Sequence, residues 1–105
     1  MVSIVILVAS TGKNVQLADE FKQSLTRFGA QVEVIDLCAL DLPLYTPEKD
    51  QQGVDLPGFA AASQQVQDAI GMVVCAPEYN GSMPPVLSNF VAWLSTSTDD
   101  FRGHF

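Results

Sequence analysis

The sequence has 105 residues, of which 48% are hydrophobic and 16% charged, a composition typical of one globular domain. Its net charge is −7 and its five Lys and Arg residues are scattered, so it lacks the basic cluster that nucleic acid or an anionic membrane requires. No apolar run approaches the roughly 20 residues that span a bilayer, and no basic segment precedes the apolar N-terminus as in a signal peptide. We therefore predict a cytoplasmic protein with no nucleic-acid or membrane partner.

The first third of the chain predicts a strand, a helix and a second strand. Residues 3–9 are a continuous run rich in β-branched side chains, typical of a strand buried on both faces of a parallel sheet. Between Asn14 and Phe28 the apolar side chains recur at helical spacing, and Gly29 suits the end of a helix. The stripe predicted to face the core consists of Ala18, Phe21, Leu25 and Phe28. Residues 31–36, QVEVID, predict the second strand.

A long connection follows the second strand. Residues 37–57 contain Pro43, Pro47 and Gly53, and we predict an irregular stretch there. Because so long a connection in a compact domain usually covers a site or an interface, it is our candidate for a contact between subunits. Helical spacing returns over residues 58–70.

A third strand and a third helix complete the pattern. Residues 71–76, GMVVCA, predict a buried strand, and Pro84 and Pro85 mark the start of a helix with an apolar stripe. Alternating strands and helices predict an α/β fold with a doubly wound parallel sheet and right-handed crossovers. In the order 2-1-3, the third strand would be an exposed apolar edge. We therefore expect the sequence to be the N-terminal portion of a larger domain.

The two cysteines predict no metal site and no disulfide. Cys38 and Cys75 form neither a CxxC pair nor a metal-binding spacing. Both are predicted to be small buried hydrophobic residues in a reducing compartment.

The turn VASTGKN after the first strand ends like a triphosphate-binding loop. The complete motif GxxxxGK[ST] fails, because Leu7 stands where its first glycine belongs and Asn14 where its metal-binding hydroxyl belongs. What remains is a hydroxyl-rich turn before a helix N-terminus, where Ser10, Thr11 and Asn14 offer hydrogen bonds and Lys13 a positive charge. This chemistry suits one phosphate monoester. An equal alternative is that these polar side chains only cap the helix.

A second polar turn, residues 77–82 or PEYNGS, follows the third strand. Ligands of open α/β sheets bind at the carboxyl ends of the strands where the strand order reverses, here between the first and third strands. Backbone N–H groups of this turn suit the edge of a heteroaromatic ring, Gly81 permits close approach, and Tyr79 would cover the ring. In the opposite interpretation, Asn80-Gly81 is an ordinary turn signal and Trp93 belongs to the core.

The segment PEYNGSMPPVLSNFVAWLS resembles the signature of the NADPH-dependent FMN reductase family, whose fold is flavodoxin-like. Residues 41–45, DLPLY, are similar to the family's segment after the second strand. The resemblance runs along the whole chain in order. The matching residues of the signature are Pro77, Glu78, Tyr79, Asn80, Gly81, Ser82, Pro84, Leu87, Asn89, Trp93 and Leu94.

The resemblance implies that residues 1–105 are the N-terminal part of a single flavodoxin-like FMN-binding domain. It implies no metal and no catalytic side chain. The residues that it assigns to the FMN phosphate are Ser10, Thr11, Lys13, Asn14 and Val15, the last through its amide. Those that it assigns to the isoalloxazine ring are Pro77, Glu78, Tyr79, Asn80, Gly81 and Ser82. The first turn departs from the Gly-Ser-x-Arg of many members and is nearer to the phosphate turn of flavodoxins proper.

The function implied by the resemblance is that of an FMN-dependent oxidoreductase. Such an enzyme passes hydride from NADPH or NADH through bound FMN to a quinone, an azo compound, a metal oxyanion or free flavin, and it forms a homodimer or homotetramer. Two alternatives stay open. The acidic surface and the first turn also suit a flavodoxin-type electron carrier that docks on basic partners. The 105 residues also suit an inactive fragment that assembles through its sheet edge.

Overall fold

Three parallel strands form the centre of the structure, a computed structural model that describes residues 3–77 and 83–97. The strands are β1 (Ser3–Val8), β2 (Gln31–Asp36) and β3 (Gly71–Cys75). Their order is β2-β1-β3, so the predicted topology is confirmed. Val8 is paired with Asp36 on one side and with Cys75 on the other. The carboxyl ends of all the strands therefore meet at one edge of the sheet.

Strand β1 is buried on both faces, as its apolar run predicts. The side chains of Val5, Ile6, Leu7 and Val8 are at most 2% exposed. Alternation along the strand sends Val5 and Leu7 into one apolar cluster and Ile6 and Val8 into a second cluster on the opposite face. The central strand therefore joins two hydrophobic layers.

Five helices surround this sheet in the described part of the chain: α1 (Lys13–Arg27), α2 (Leu37–Leu40), α3 (Pro47–Gln52), α4 (Phe59–Asp68) and α5 (Pro85–Ser97). Helices α1, α4 and α5 correspond to the three predicted helices, with shifts of a residue or two at their ends. The larger cluster packs α4 and α5 against Val5 and Leu7, and the smaller one packs α1 against Ile6 and Val8. Helices thus cover both faces of β1.

The prediction that residues 37–57 are irregular is wrong in part, because α2 and α3 lie within them. Both helices are too short for periodicity to reveal, and caps define them instead. The carboxylate of Asp36 accepts hydrogen bonds from the first amides of α2, and the hydroxyl of Thr46 accepts one from the amide of Lys49. Pro47 occupies the first turn of α3, where its missing N–H carries no penalty.

The apolar stripe predicted for the first helix is only half correct. Ala18 is buried and Leu25 is half-buried, whereas Phe21 is 40% and Phe28 is 90% exposed. Phe28 follows the last helical residue, so helical spacing no longer determines where its side chain points. Helix α1 packs on the narrow sheet through the small side chain of Ala18, and Phe21 lies outside that contact.

Strand β3 is an apolar edge, as the strand order predicts, and the prediction that it is fully buried is wrong. Met72 and Val74 are 41% and 45% exposed. They are paired with Val5 and Leu7, which α4 and α5 cover, but they lie one strand further out. None of the helices in the described ranges combines the length and apolar character needed to cross a bilayer.

Because the centre of β1 is buried, shortening a side chain there should destabilise the fold far more than shortening one on an edge strand. Replacing Ile6, which is 0% exposed, by Ala should lower the free energy of unfolding by about 2–5 kcal/mol through lost burial and a residual cavity. The matched control is Val34→Ala on the edge strand β2, where the side chain is 39% exposed, and it should cost far less. Urea denaturation followed by circular dichroism measures both. Equal losses would contradict the central position of β1.

Candidate functional site

The turn between β1 and α1 presents polar side chains that do not cap the helix. Gly12 precedes α1 with φ 79° and ψ −127°, a conformation that favours glycine, and no side chain caps this end. The side-chain nitrogen of Asn14, Nδ2, instead donates to the hydroxyl oxygen of Ser10 at 2.9 Å. The alternative in which Ser10, Thr11 and Asn14 serve only as caps is therefore wrong.

The backbone amides at the start of α1 differ in their availability. The backbone amides of Val15 and Gln16 donate to the carbonyl oxygen of Gly12 at 3.0 and 3.4 Å. The Val15 amide, which was predicted to bind the phosphate, is therefore already used in the first turn of the helix. The amides of Lys13 and Asn14 precede that turn and belong to the positive end of the helix dipole. The side chain of Lys13 is exposed and adds a full positive charge there.

The segments that follow β1 and β3 leave the sheet side by side. The amide of Ala9 donates to the carbonyl oxygen of Cys75 at 2.9 Å, which extends the pairing of the two strands to their carboxyl ends. Pro77 is half-buried directly beyond β3. The other predicted ring contacts lie outside the described residues, and their role stays a prediction: Glu78, Tyr79, Asn80, Gly81 and Ser82.

An open pocket of about 570 Å³ lies at this carboxyl edge and is called the edge pocket below. Ser10 and Thr11 give it hydroxyl groups, so the structure brings these two predicted residues into one cavity. The remaining described walls are Ala9, Cys38, Pro84, Pro85 and Val86. The volume falls within the roughly 300–1,000 Å³ of ligand pockets. Apolar walls with hydroxyl groups from Ser10 and Thr11, shortly before the start of α1 in the chain, suit a ligand with an apolar body and an anionic group.

The walls contributed by Cys38 and by Pro84–Val86 were not predicted as parts of the site. The prediction that Cys38 is buried is wrong, since its side chain is exposed, whereas Cys75 is buried as predicted. Asp36 ends β2 and caps α2, which places Cys38 just beyond the strand at the carboxyl edge and not in the core. The signal in the sequence was its position two residues after the QVEVID strand. Within the described ranges, no three His, Cys, Asp or Glu side chains gather as metal ligands.

These features define a flavodoxin-like α/β protein with an open pocket at the switch point of its sheet. The same fold occurs in FerB, a flavoenzyme NAD(P)H:(acceptor) oxidoreductase from Paracoccus denitrificans, with a TM-score of 0.69 and 19% sequence identity. The alignment covers 89% of this chain and 50% of FerB. The chain belongs to the NADPH-dependent FMN reductase family, whose model matches residues 2–105. The family resemblance and the flavodoxin-like fold are thereby confirmed, and FMN and NADPH are the cofactors that the family's name gives.

Relatives with named activities match shorter stretches. A 2-hydroxy-1,4-benzoquinone reductase from Burkholderia sp. is 47% identical over 55 residues, which are 51% of this chain and 28% of that enzyme. An NADPH azoreductase from Bacillus sp. (strain OY1-2) is 38% identical over 65 residues, 62% of this chain and 35% of that enzyme. The matched stretches thus make up about a third of these relatives' lengths.

The two cysteines should differ sharply in reactivity. Cys38 is exposed in the edge pocket, whereas burial both shields Cys75 and raises the pKa of its thiol above the ordinary value. A maleimide at neutral pH should therefore modify one thiol in the folded chain and two in denaturant, with the site identified by peptide mass spectrometry. Labelling of Cys75 as fast as Cys38 in the folded chain would contradict this assignment.

Proposed function

We propose that this chain is the FMN-binding part of an oxidoreductase that uses NADPH or NADH to reduce a small-molecule acceptor. The observation that carries the proposal is the edge pocket, in which Ser10 and Thr11 stand at the uncapped N-terminus of α1 opposite apolar walls. Membership of the NADPH-dependent FMN reductase family supports FMN as the ligand.

The phosphate of FMN fits the turn after β1. A phosphate monoester needs several donors and positive charge, and a helix N-terminus provides both. Ser10, Thr11 and Asn14 would donate from side chains, while Lys13 would supply charge in a chain whose net charge is −7. The Ser10 hydroxyl accepts from the Asn14 side chain at 2.9 Å and donates to the carbonyl oxygen of Thr11 at 3.3 Å, so its proton would exchange this long, exposed contact for one to the phosphate. The amides of Lys13 and Asn14 would complete the set.

The flat body of FMN fits the remaining walls of the edge pocket. Pro84, Pro85 and Val86 present apolar surface from the start of α5, and Cys38 presents its thiol from the start of α2. These side chains would exclude water and hold the ring, and the polar turn at residues 77–82 would bond its edge. When bound, FMN would supply the hydride-transfer chemistry, and the chain's own residues would bind and orient it. No side chain need act as a nucleophile.

The acceptor belongs to the classes that the relatives reduce. Two relatives are named a benzoquinone reductase and an azoreductase, which supports a quinone or an azo compound. A metal oxyanion or free flavin remains within the proposal. We also propose a cytoplasmic homodimer or homotetramer in which residues 37–57 form part of the contact, because Leu44 in this segment is 71% exposed.

Flavin titrations test the pocket and its phosphate end. This chain should quench FMN fluorescence saturably and bind riboflavin, which lacks the phosphate, at least about tenfold more weakly, since a hydrogen bond to a charged group contributes about 1.5–3 kcal/mol. Ser10→Ala and Lys13→Gln should weaken FMN binding and leave riboflavin binding unchanged. Gln16→Ala, on the exposed side of α1, is the matched control. Equal affinities for FMN and riboflavin would contradict the phosphate assignment.

Turnover tests the reaction class. The FMN-loaded protein should oxidise NADPH when a benzoquinone or an azo dye is supplied, as measured by loss of nicotinamide absorbance. A parallel reaction without FMN is the control. Failure to oxidise NADPH or NADH with every acceptor class, in a preparation that retains FMN, would rule out the reductase. In that case the electron-carrier alternative would gain support.

A further inference from the structure

A long-range set of hydrogen bonds joins the segment after α2 to helix α5. The side-chain oxygen of Asn89 accepts from the amide of Tyr45 at 2.7 Å, and its nitrogen donates to the carbonyl oxygen of Pro43 at 2.9 Å. The indole nitrogen of Trp93 donates to the same carbonyl at 2.8 Å. The rings of Tyr45 and Trp93 meet edge to face with centroids 4.9 Å apart. Pro43, Tyr45, Asn89 and Trp93 are called the clamp below.

The chemistry of the clamp explains why these residue types are present. The backbone of residues 41–46 has no regular secondary structure, so its polar groups need partners from elsewhere. The Tyr45 amide can only donate and the Pro43 carbonyl can only accept. A carboxamide satisfies both at once, whereas a carboxylate or an aliphatic side chain does not. The Pro43 carbonyl uses both lone pairs, one for Asn89 and one for Trp93.

The clamp residues follow two walls of the edge pocket closely along the chain. Asn89 follows Pro85, a wall residue, by about one helical turn of α5. Cys38, another wall residue, lies within the four-residue helix α2, and Pro43 follows shortly after that helix ends. Neither Asn89 nor Trp93 is among the described residues that line the edge pocket. The hydrogen bonds therefore tie the start of α5 to the end of the α2 segment without touching the cavity.

We propose that Asn89 and Trp93 are positioning residues that set the width of the edge pocket. They hold residues 42–45 against α5 and thereby fix the separation between the Cys38 wall and the Pro84–Val86 wall. Ligand affinity then depends on side chains that do not contact the ligand. The identity of the ligand as FMN rests on the proposed function, whereas the clamp and the pocket width do not.

Two variants distinguish the loss of the clamp's hydrogen bonds from a general loss of stability. Asn89→Asp keeps the acceptor for Tyr45 and loses the donor to Pro43. Trp93→Phe keeps an aromatic ring and loses the indole donor together with part of the buried ring surface. Ser88→Ala, exposed on the same helix, is the matched control. Each variant is compared with the unmodified chain at a temperature at which all are folded.

The rate of tryptic cleavage tests whether the clamp holds its segment in place, and it needs no ligand. Lys49 lies in α3, just after the clamped residues, and its ammonium group donates to the carbonyl oxygen of Leu44 within them at 3.2 Å. Arg27 is the last residue of α1. Both clamp variants should raise the cleavage rate at Lys49 about fivefold or more and leave the rate at Arg27 unchanged, because only local opening is affected. Acceleration at both sites by the same factor, or at neither, would overturn the proposal.

Flavin affinity and the rate of Cys38 labelling both report on the width of the edge pocket. The clamp variants should weaken FMN and riboflavin by the same factor, about fivefold or more, unlike Ser10→Ala, because the walls contact the ring and not the phosphate. If the unmodified chain binds neither flavin, the proposed function fails but the width is still measurable. The ratio of Cys38 labelling by a bulky maleimide to labelling by iodoacetamide should then rise in both variants. Faster cleavage at Lys49 with flavin affinity unchanged, or with that ratio unchanged where flavin does not bind, would overturn the proposal.

Discussion

The burial of β1 on both faces is the constraint on which the site depends. Because parallel strands require crossover helices, both faces of the central strand are covered and its polar ends are the places where a ligand can approach. The pairing of Val8 with Asp36 and Cys75 brings the ends of all the strands to one edge. The turn after β1, the start of α2 and the start of α5 meet there and enclose the edge pocket. The location of the pocket thus follows from the packing of an apolar core that contains none of the site's polar groups.

Binding an anion to a chain with net charge −7 requires local electrostatics to dominate. Exposed charges more than about 8–10 Å apart are largely screened at physiological ionic strength. The helix dipole acts within its first turn, and Lys13 stands in that turn. A phosphate bound at the turn after β1, as proposed, would therefore interact with the backbone amides of Lys13 and Asn14 far more strongly than with the dispersed carboxylates. The net negative charge instead affects the diffusional approach of large partners, and it disfavours association with anionic macromolecules.

The sequence predicted the sheet well and the packing of its helices less well. Continuous or alternating apolar residues located β1 and β2 to within a residue, and the strand order followed from the alternation of elements. Helical periodicity identified the face of α1 but not the width of the sheet beneath it, so Phe21 and Phe28 were wrongly expected in the core. The short helix α2 depends on a cap from Asp36, and that cap placed Cys38 in the pocket. Local hydrogen bonding of this kind leaves no periodic signal.

The two ends of the edge pocket depend on interactions of different range. The end proposed for the phosphate is built from one turn, where the hydrogen bond between Asn14 and Ser10 spans four residues of chain. The walls for the ring are held by Asn89 and Trp93, whose partners lie more than forty residues away in sequence. The signature PEYNGSMPPVLSNFVAWLS therefore combines residues assigned to the ligand with residues that hold the scaffold around it. In the proposed complex, the contacts to the phosphate would come from one local turn, whereas the fit of the ring would depend on contacts between distant parts of the chain.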